Sequence, residues 1–345
     1  MNTETKHFET IIIGGGPAGT TCGYMLTQKG NECLIIERST FPRDKVCGGG
    51  LTPKCYRLID KIFDNLTYDY KPVKTLEVNL GKKRSRKFPL SDEIRVVCRK
   101  DFDNTLLDAY KRAGGQILHG RATGIEEQDG KIFVTLADGS RLSCNKLIGA
   151  DGANSIVRKY LQPKNNRKML LLEKTITDKS FDHIKLFFDY HLDKGYMYMF
   201  PNPEGCVIGY GDTETNREEF SRRITTSHLP NTEKQKGAYL PIFDNIEYRM
   251  HDQIILIGDA GGFVDSISGE GIFYAIQTGA FAAQSVSEGK SYKDLCIGIT
   301  NRIRKINMLS EYFYNKLVHV PVVYFCTTDF MYDRIRRKID EYLAR

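Results

Sequence analysis

Gly14, Gly16 and Gly19 fall in the run Ile-Ile-Ile-Gly-Gly-Gly-Pro-Ala-Gly, and Glu37 stands 18 residues beyond the last of them. That spacing suits the binding of a dinucleotide. The first glycine permits a tight turn, the second lets backbone approach a pyrophosphate, and the third lets helix and strand pack closely. Pro17 fits the first turn of the helix, whose N-terminal N–H groups and dipole favour phosphate. Glu37 closes the apolar run Leu34-Ile35-Ile36, where a carboxylate can accept hydrogen bonds from an adenosine ribose. The competing reading is a glycine-rich turn in an ordinary βα unit.

Three further motifs turn the dinucleotide into FAD. Val97-Cys98-Arg99-Lys100-Asp101 ends a strand in an arginine and begins a helix. Gly149-Ala150-Asp151-Gly152 is followed closely by Ser155 and Arg158. Gly258-Asp259-Ala260-Gly261-Gly262 runs on to Gly269-Glu270-Gly271-Ile272. An aspartate ending a strand can hold a ribityl or ribose hydroxyl. A glycine turn opening a helix can bring N–H groups to a pyrophosphate and to the flavin pyrimidine edge. A domain that binds only a nicotinamide dinucleotide has no need of a second such turn so far downstream.

Together these motifs resemble the group A flavin-monooxygenase superfamily and, within it, the geranylgeranyl reductase family. The resemblance covers residues 8–290. Lys45-Val46-Cys47-Gly48-Gly49-Gly50 is similar to the family's Lys-x-Cys-Gly-Gly loop. The segment 258–272 is closer to the reductases' Gly-Asp-Ala-Ala-Gly…Gly-Glu-Gly-Ile than to the hydroxylases' version, which contains histidine and proline. Tyr196-Met197-Tyr198-Met199-Phe200-Pro201 resembles Tyr-x-Trp-x-Phe-Pro.

The resemblance implies a role for each motif. Gly14, Gly16, Pro17, Ala18, Gly19, Glu37 and Arg38 would hold the ADP half of FAD. Arg99 and Ala122 would contact the nucleotide, and Asp151 the pyrophosphate and a reduced nicotinamide. Cys47, Gly48 and Gly50 would line the flavin, with Asp259, Gly271 and Ile272 on the ribityl chain and ring. Strand alternation puts Tyr196, Tyr198 and Phe200 on one face, where they could wall an apolar substrate cavity. Cys47 is the catalytic expectation: a thiol that gates substrate access or donates a proton, with Arg43 and Lys45 supplying positive charge. The alternative is a small residue that simply fits beside the ring. Tyr198 stands where the family has tryptophan, which bears on substrate identity. Asp265-Ser266 replaces an Asp/Asn-Pro step, which bears on loop stiffness.

The implied activity is reduction of C=C bonds in an isoprenoid or similarly apolar substrate by hydride from reduced flavin. Electrons would come from NAD(P)H or a reduced ferredoxin-like protein. The alternatives are a monooxygenase hydroxylating an aromatic or polyketide-like substrate, and a non-catalytic FAD-binding redox sensor. Lipid reductases of the family are usually longer, so a smaller isoprenoid, or a cavity completed by membrane or partner, would fit this chain.

These residues need an α/β frame. The expected fold is a discontinuous Rossmann-type FAD domain (1–70, 95–165 and 245–290) with an inserted antiparallel substrate sheet (71–94 and 166–244) and C-terminal helices (291–345). A helix is expected over 17–29, closed by Gly30, and another over 102–113. Residues 41–55 read as a loop, 73–98 as strands with polar turns, and 122–148 as a meander with turns at Asp129-Gly130 and Asp138-Gly139. Aromatic strands are expected near 183–190, 195–200 and 206–211, a buried strand over 254–257 and a helix over 271–288. The C-terminal helices should be interrupted at Pro321.

Composition sets the outer bounds. The chain has 345 residues, 41% of them hydrophobic, and a formal charge of +7. That is globular and too long for a comfortable single core. The basic run 82–87 reads first as a solvated hairpin tip, and nothing calls for nucleic acid. Nine cysteines form no Cys-x-x-Cys pair, which suggests free thiols in a reducing compartment. The seven histidines show no metal-ligand spacing, so no metal is expected. Met1–Thr10 does not read as a signal peptide, and no stretch approaches the ~18–20 apolar residues of a membrane span. A cytoplasmic protein is the expectation, with peripheral membrane contact through apolar residues 317–330 and the basic cluster after them as an option. A helical lid on the second lobe is the preferred reading of that segment. Oligomeric state is left open.

Overall fold

The computed structural model describes residues 5–80, 84–161, 168–188, 195–212, 235–241, 253–326 and 328–345. The first strand, β1 (Lys6–Ile13), is followed by α1 (Pro17–Gln28) and by β2 (Cys33–Glu37), whose five residues are all buried. Next come β3 (Gly50–Leu51), α2 (Pro53–Ile62), and a hairpin of β4 (Lys71–Leu80) with β5 (Arg84–Val96). Then follow α3 (Arg99–Arg112), β6 (Gln116–His119), β7 (Ala122–Gln128), β8 (Lys131–Leu136), β9 (Arg141–Gly149) and α4 (Ile156–Leu161).

The aromatic territory supplies β10 (Lys168–Ile176), β11 (Ile184–Phe188), β12 (Tyr196–Asn202), β13 (Gly205–Asp212) and β14 (Lys236–Pro241). The chain then returns through β15 (Ile254–Leu256) to α5 (Ile272–Glu288), α6 (Tyr292–Phe313), α7 (Lys316–Cys326) and α8 (Tyr332–Ala344).

Two sheets organise these elements. The first runs β6-β2-β1-β9-β8-β7, with β15 also on β9. Strands β6, β2, β1, β9 and β15 are parallel neighbours, while β7, β8 and β9 form the antiparallel meander. The outer edge of β9 is shared: β8 takes its first half and β15 takes Leu147 to Gly149. The segment after residue 250 thus completes the sheet begun by the first strand. The second sheet runs β14-β10-β13-β12-β11-β4-β5-β3.

The central strands are apolar on both faces because both faces are covered. Ile12, Ile35 and Ile148 point into one core with α1, α3 and α5, while Ile11, Leu34 and Leu147 point into the other. That period of two is the pleat itself. Close helix packing depends on missing side chains. A Cβ at Gly279 of α5 would lie 2.4 Å from the carbonyl oxygen of Ala18 in α1.

Several local expectations need correction. Residues 41–55 are not one loop. Gly50 and Leu51 pair with Val96 and Arg95, and α2 begins at Pro53, a proline preset for the first helical turn. Helix α3 starts at Arg99, three residues before Phe102, because Cys98 leaves the strand in an extended conformation and serves as its N-cap. Pro321 lies inside α7 and does not divide the C-terminal helices. Of the basic run, Arg84, Arg86 and Lys87 lie on β5, while Lys82 and Lys83 fall outside the described residues. No helix among the described residues is long and apolar enough to cross a membrane.

Candidate functional site

The first glycine turn has the shape its sequence demands. Gly14 sits at φ +107°, and a Cβ there would lie 2.4 Å from the Ala150 carbonyl oxygen. At Gly19 a Cβ would lie 1.9 Å from the Gly14 carbonyl oxygen. Gly16 caps α1 without any side-chain hydrogen bond, and Pro17 follows it. The first-turn N–H groups are therefore not taken by a cap, which suits an incoming phosphate. Glu37 is buried and accepts the Gly15 N–H at Oε2 and the Ser39 N–H at Oε1, both at 2.7 Å. A carboxylate has about four acceptor positions, so capacity for ribose hydroxyls is left over. Arg38 is exposed beside it, and Ala122 is buried at the start of the meander.

The second and third turns are bound to each other. Arg158 is buried, and its guanidinium donates to the carbonyls of Ala153 at 2.5 Å, Ala260 at 3.2 Å and Asp259 at 3.4 Å. This clamps the Asp151 turn onto the Asp259 turn. Asp151 Oδ2 accepts the Ile156 N–H at 2.7 Å, while Oδ1 is buried with no hydrogen-bond partner. Burial raises its carboxyl above the usual range, against the pull of Ser155 and the Ile156 N–H. An unsatisfied buried acceptor at this place fits a group that brings a donor. Asp259 faces Lys45 across 3.7 Å, and Gly271 caps α5 with no side-chain bond, directly before Ile272. Two uncapped helix starts, a glycine cradle and an orphaned carboxylate oxygen fit FAD.

Arg99 is buried and bidentate to Asp103, at 2.8 Å for both bonds, with Arg43 3.5 Å from the same carboxylate. The Arg99 guanidinium also reaches the side chain of Cys47. The Cys47 sulfur accepts the Gly49 N–H at 3.4 Å. Gly49, at φ +75°, could take no Cβ without meeting the Val97 carbonyl oxygen at 2.2 Å. Gly48 and Gly50 lie against the ring of Phe200, where a Cβ would come within 3.0 and 2.8 Å of it. The glycines of this loop thus let it sink onto the aromatic strand.

On that strand the three predicted aromatics form a ladder, with ring centroids 6.2 Å apart from Tyr196 to Tyr198 and 5.6 Å from Tyr198 to Phe200. The Tyr196 hydroxyl donates to the Ser268 carbonyl, tying the ladder to the third turn's loop. Tyr198 lies flat across its neighbouring strand. A Cβ at Gly209 would lie 1.9 Å from its ring, and its hydroxyl donates to Glu173 on β10 at 3.3 Å. The register runs Tyr198, Gly209, Glu173 across three strands.

Glu173 was not singled out from sequence, and neither was the cluster at Lys54. Glu173 also accepts the Cys47 N–H; burial raises its carboxyl to about 7, opposed by that bond, by Tyr198, and by Lys236 and Arg99. Lys54 is buried in an ion pair with Glu270 at 2.8 Å and donates to the Tyr342 carbonyl at 3.2 Å. Burial pushes its ammonium down while Glu270 pulls it back up. A lone glutamate on a strand and a lysine after proline carry no motif; the charged pair Glu173-Lys174 interrupting an apolar run was the one available signal. Cys98, Asp101 and Glu204 come within 4.8 Å of one another. Burial and Glu204 push the Cys98 thiol up to about 12, which keeps it protonated at neutral pH.

Comparison with known proteins agrees with this geometry. The family model described as an FAD binding domain matches residues 7–285. An uncharacterised protein of Methanosarcina barkeri is 31% identical over 302 residues, 82% of this chain and 75% of its own. A menaquinone reductase of Mycobacterium tuberculosis is 26% identical, covering 80% of this chain and 76% of its own. A geranylgeranyl diphosphate reductase of Rhodobacter capsulatus is 27% identical, covering 81% and 74%. Among solved structures, a geranylgeranyl bacteriochlorophyll reductase-like protein from Thermoplasma acidophilum superposes with TM-score 0.78 at 20% identity, covering 99% of this chain and 92% of that one. The flavin-dependent brominase Bmp2 superposes with TM-score 0.71 at 19% identity, covering 96% and 93%. These two likenesses speak to fold alone. With the glycine cradle, the clamped aspartate turns and the Cys47 loop in place, the chain belongs to the FAD-binding-domain family of group A flavoproteins, in the company of the geranylgeranyl reductases.

Proposed function

We propose that this FAD-dependent oxidoreductase reduces C=C bonds of an isoprenoid or similarly apolar substrate. The observation that carries the reading is the aromatic ladder of Tyr196, Tyr198 and Phe200, whose Phe200 end lies on Gly48 and Gly50 of the Cys47 loop. It offers an apolar wall beside the loop that the family resemblance assigns to the flavin. The menaquinone and geranylgeranyl reductases among its relatives support an isoprenoid-bearing substrate. When bound and reduced, FAD supplies the hydride. The protein's own residues do the rest: Gly14, Gly16, Gly19 and Glu37 anchor the adenosine end, the Asp151 and Asp259 turns fix the middle, and the ladder excludes water. The electron donor is NAD(P)H or a reduced ferredoxin-like protein.

Exposed apolar residues of the C-terminal helices extend the proposal to a membrane surface. Leu309, Tyr312, Leu317 and Phe325 are exposed, and Arg84 stacks on Tyr324 at 4.0 Å. Apolar side chains bordered by cations suit peripheral contact with anionic lipid.

Oxygen chemistry is the second reading, because a monooxygenase would use every one of these FAD motifs. Incubation of the holoenzyme, an electron donor and isotopically labelled dioxygen with isoprenyl diphosphates, menaquinone and aromatic acids separates the two. A product with two added hydrogens and no label supports reduction. Labelled oxygen in the product overturns it.

A further inference from the structure

Reduction of a C=C bond needs a proton as well as a hydride, and the sequence points first to Cys47 for it. The geometry around Cys47 is that of an acceptor. Its sulfur takes the Gly49 N–H at 3.4 Å and lies beside the Arg99 guanidinium. The adjoining carboxyl is arranged otherwise. Glu173 is buried on β10, accepts the Tyr198 hydroxyl at 3.3 Å and also accepts the Cys47 N–H. Gly209 is the spacer that lets the two meet, since a Cβ there would occupy the Tyr198 ring.

We propose that Tyr198 is the proton donor of the site and that Glu173 is the positioning residue that recharges it. The inference rests on the reductase reading above. In the step, hydride adds to one alkene carbon and the π electron pair moves to the other. That carbon forms its C–H bond with the Tyr198 hydroxyl proton. In the carboxylate state Tyr198 donates to Glu173. Once Glu173 is protonated, its O–H donates across the same 3.3 Å contact and frees the Tyr198 proton, so that as the Tyr198 O–H bond breaks the carboxylic acid proton of Glu173 passes to the tyrosine oxygen. Glu173 is left as carboxylate and is reprotonated from solvent.

The groups facing Glu173 are consistent with a carboxyl that can hold either state. Tyr198 comes from β12, Cys47 from the loop before β3, Lys236 from its register partner β14, and Arg99 from α3. The two cations and two hydrogen-bond donors keep the carboxylate accessible, and burial, which raises the carboxyl to about 7, keeps the acid accessible. A relay needs both. An exposed carboxyl would be ionised throughout the neutral range, and an isolated buried one would stay protonated.

The test uses the FAD-loaded wild type, Glu173→Gln and Tyr198→Phe, with each rate normalised to bound flavin. Three readouts are taken: infrared titration of the Glu173 carboxyl, alkene reduction against pH, and donor-driven flavin reduction. The wild-type carboxyl should titrate near neutrality, and Tyr198→Phe should move that titration upward by removing a donor to the carboxylate. Both variants should slow alkene reduction at least tenfold while flavin reduction by the donor changes less than twofold. The wild-type rate should fall as pH rises through the carboxyl titration, and Glu173→Gln should lose that limb. Wild-type alkene reduction with unaltered rate and pH profile in Glu173→Gln overturns the proposal and leaves the reductase reading standing. A carboxyl titration unmoved by Tyr198→Phe overturns the coupling independently of turnover. Absence of a reduced alkene from the wild type overturns the reductase reading and this proposal with it.

Discussion

The hydroxyl of Tyr342 donates to Asp265 Oδ2 at 2.5 Å, so the C-terminal helix is bonded directly to the loop between the third glycine turn and α5. Ser268 Oγ lies 2.7 Å from the same hydroxyl, and Glu270 Oε2 lies 3.3 Å away. Burial, then the Asp265 and Glu270 charges, push the Tyr342 phenol well above its ordinary value. The last helix is thus part of the cofactor site's support, although it lies outside the family motifs.

Tyr342→Phe removes that donor from the buried Asp265 and from the half-buried Glu270, which keeps Lys54 and Thr52. The expected loss is about 1–3 kcal/mol for the unsatisfied acceptors. FAD affinity should weaken by about 5- to 150-fold if that loss falls on binding, measured by flavin fluorescence on titrating apoprotein, while the far-UV circular dichroism spectrum stays unchanged.

Asp103→Ala should be the most damaging single change near the cofactor site. It strips a bidentate partner from Arg99 in a buried setting, and breaking such a pair costs about 3–5 kcal/mol. Urea denaturation should show the midpoint falling with little change in slope. Asp103→Asn, which keeps the shape and loses the charge, should fall between it and wild type.

Stability should decrease as pH rises through the range set by Glu173. Its folded carboxyl titrates at about 7 against an ordinary 4.5, so the native state holds a proton that the unfolded chain releases between those values. The penalty is absent below about pH 4.5, grows with pH, and is complete above about pH 7, reaching about 3 kcal/mol. Glu173→Gln should remove that slope. Denaturant midpoints of both proteins across this range provide the check.

Gly209→Ala should displace Tyr198, because the new methyl would lie inside its ring. Overpacking of this kind costs about 1–3 kcal/mol. A crystal structure of the variant should show the ring lifted off β13 and the Glu173 bond broken.

Binding to anionic vesicles should depend on Leu317 and Phe325, which are 85% and 54% exposed. Co-sedimentation with phosphatidylglycerol vesicles should fall in Leu317→Ser/Phe325→Ser, and in wild type should weaken as salt rises. Equal sedimentation of variant and wild type would remove the membrane proposal.

The turns were legible because their chemistry is local. Gly14 and Gly19 are required because a Cβ at either would run into backbone, and Ile11 to Ile13 declare a strand buried on both faces. The ladder of Tyr196, Tyr198 and Phe200 followed from strand alternation plus family resemblance. Glu173 and Lys54 were not legible, since their meaning arises only when strands or helices far apart in sequence meet. The strand at Gly50 was missed for a related reason, since it pairs with the distant Val96, whereas the early start of α3 is local, set by the extended backbone of Cys98. Sequence cast Cys47 as the chemical residue; the proton route proposed above adds Tyr198 and Glu173, which lie beside it.

Anaerobic stopped-flow mixing of the chemically reduced holoenzyme with geranylgeranyl diphosphate or menaquinone tests the central claim most directly. The account predicts that oxidised-flavin absorbance returns on mixing with at least one of these alkenes, matched one-to-one by a product carrying two more hydrogens. Flavin that stays reduced with every alkene under argon, yet reoxidises in air with oxygen appearing in the organic product, would contradict it.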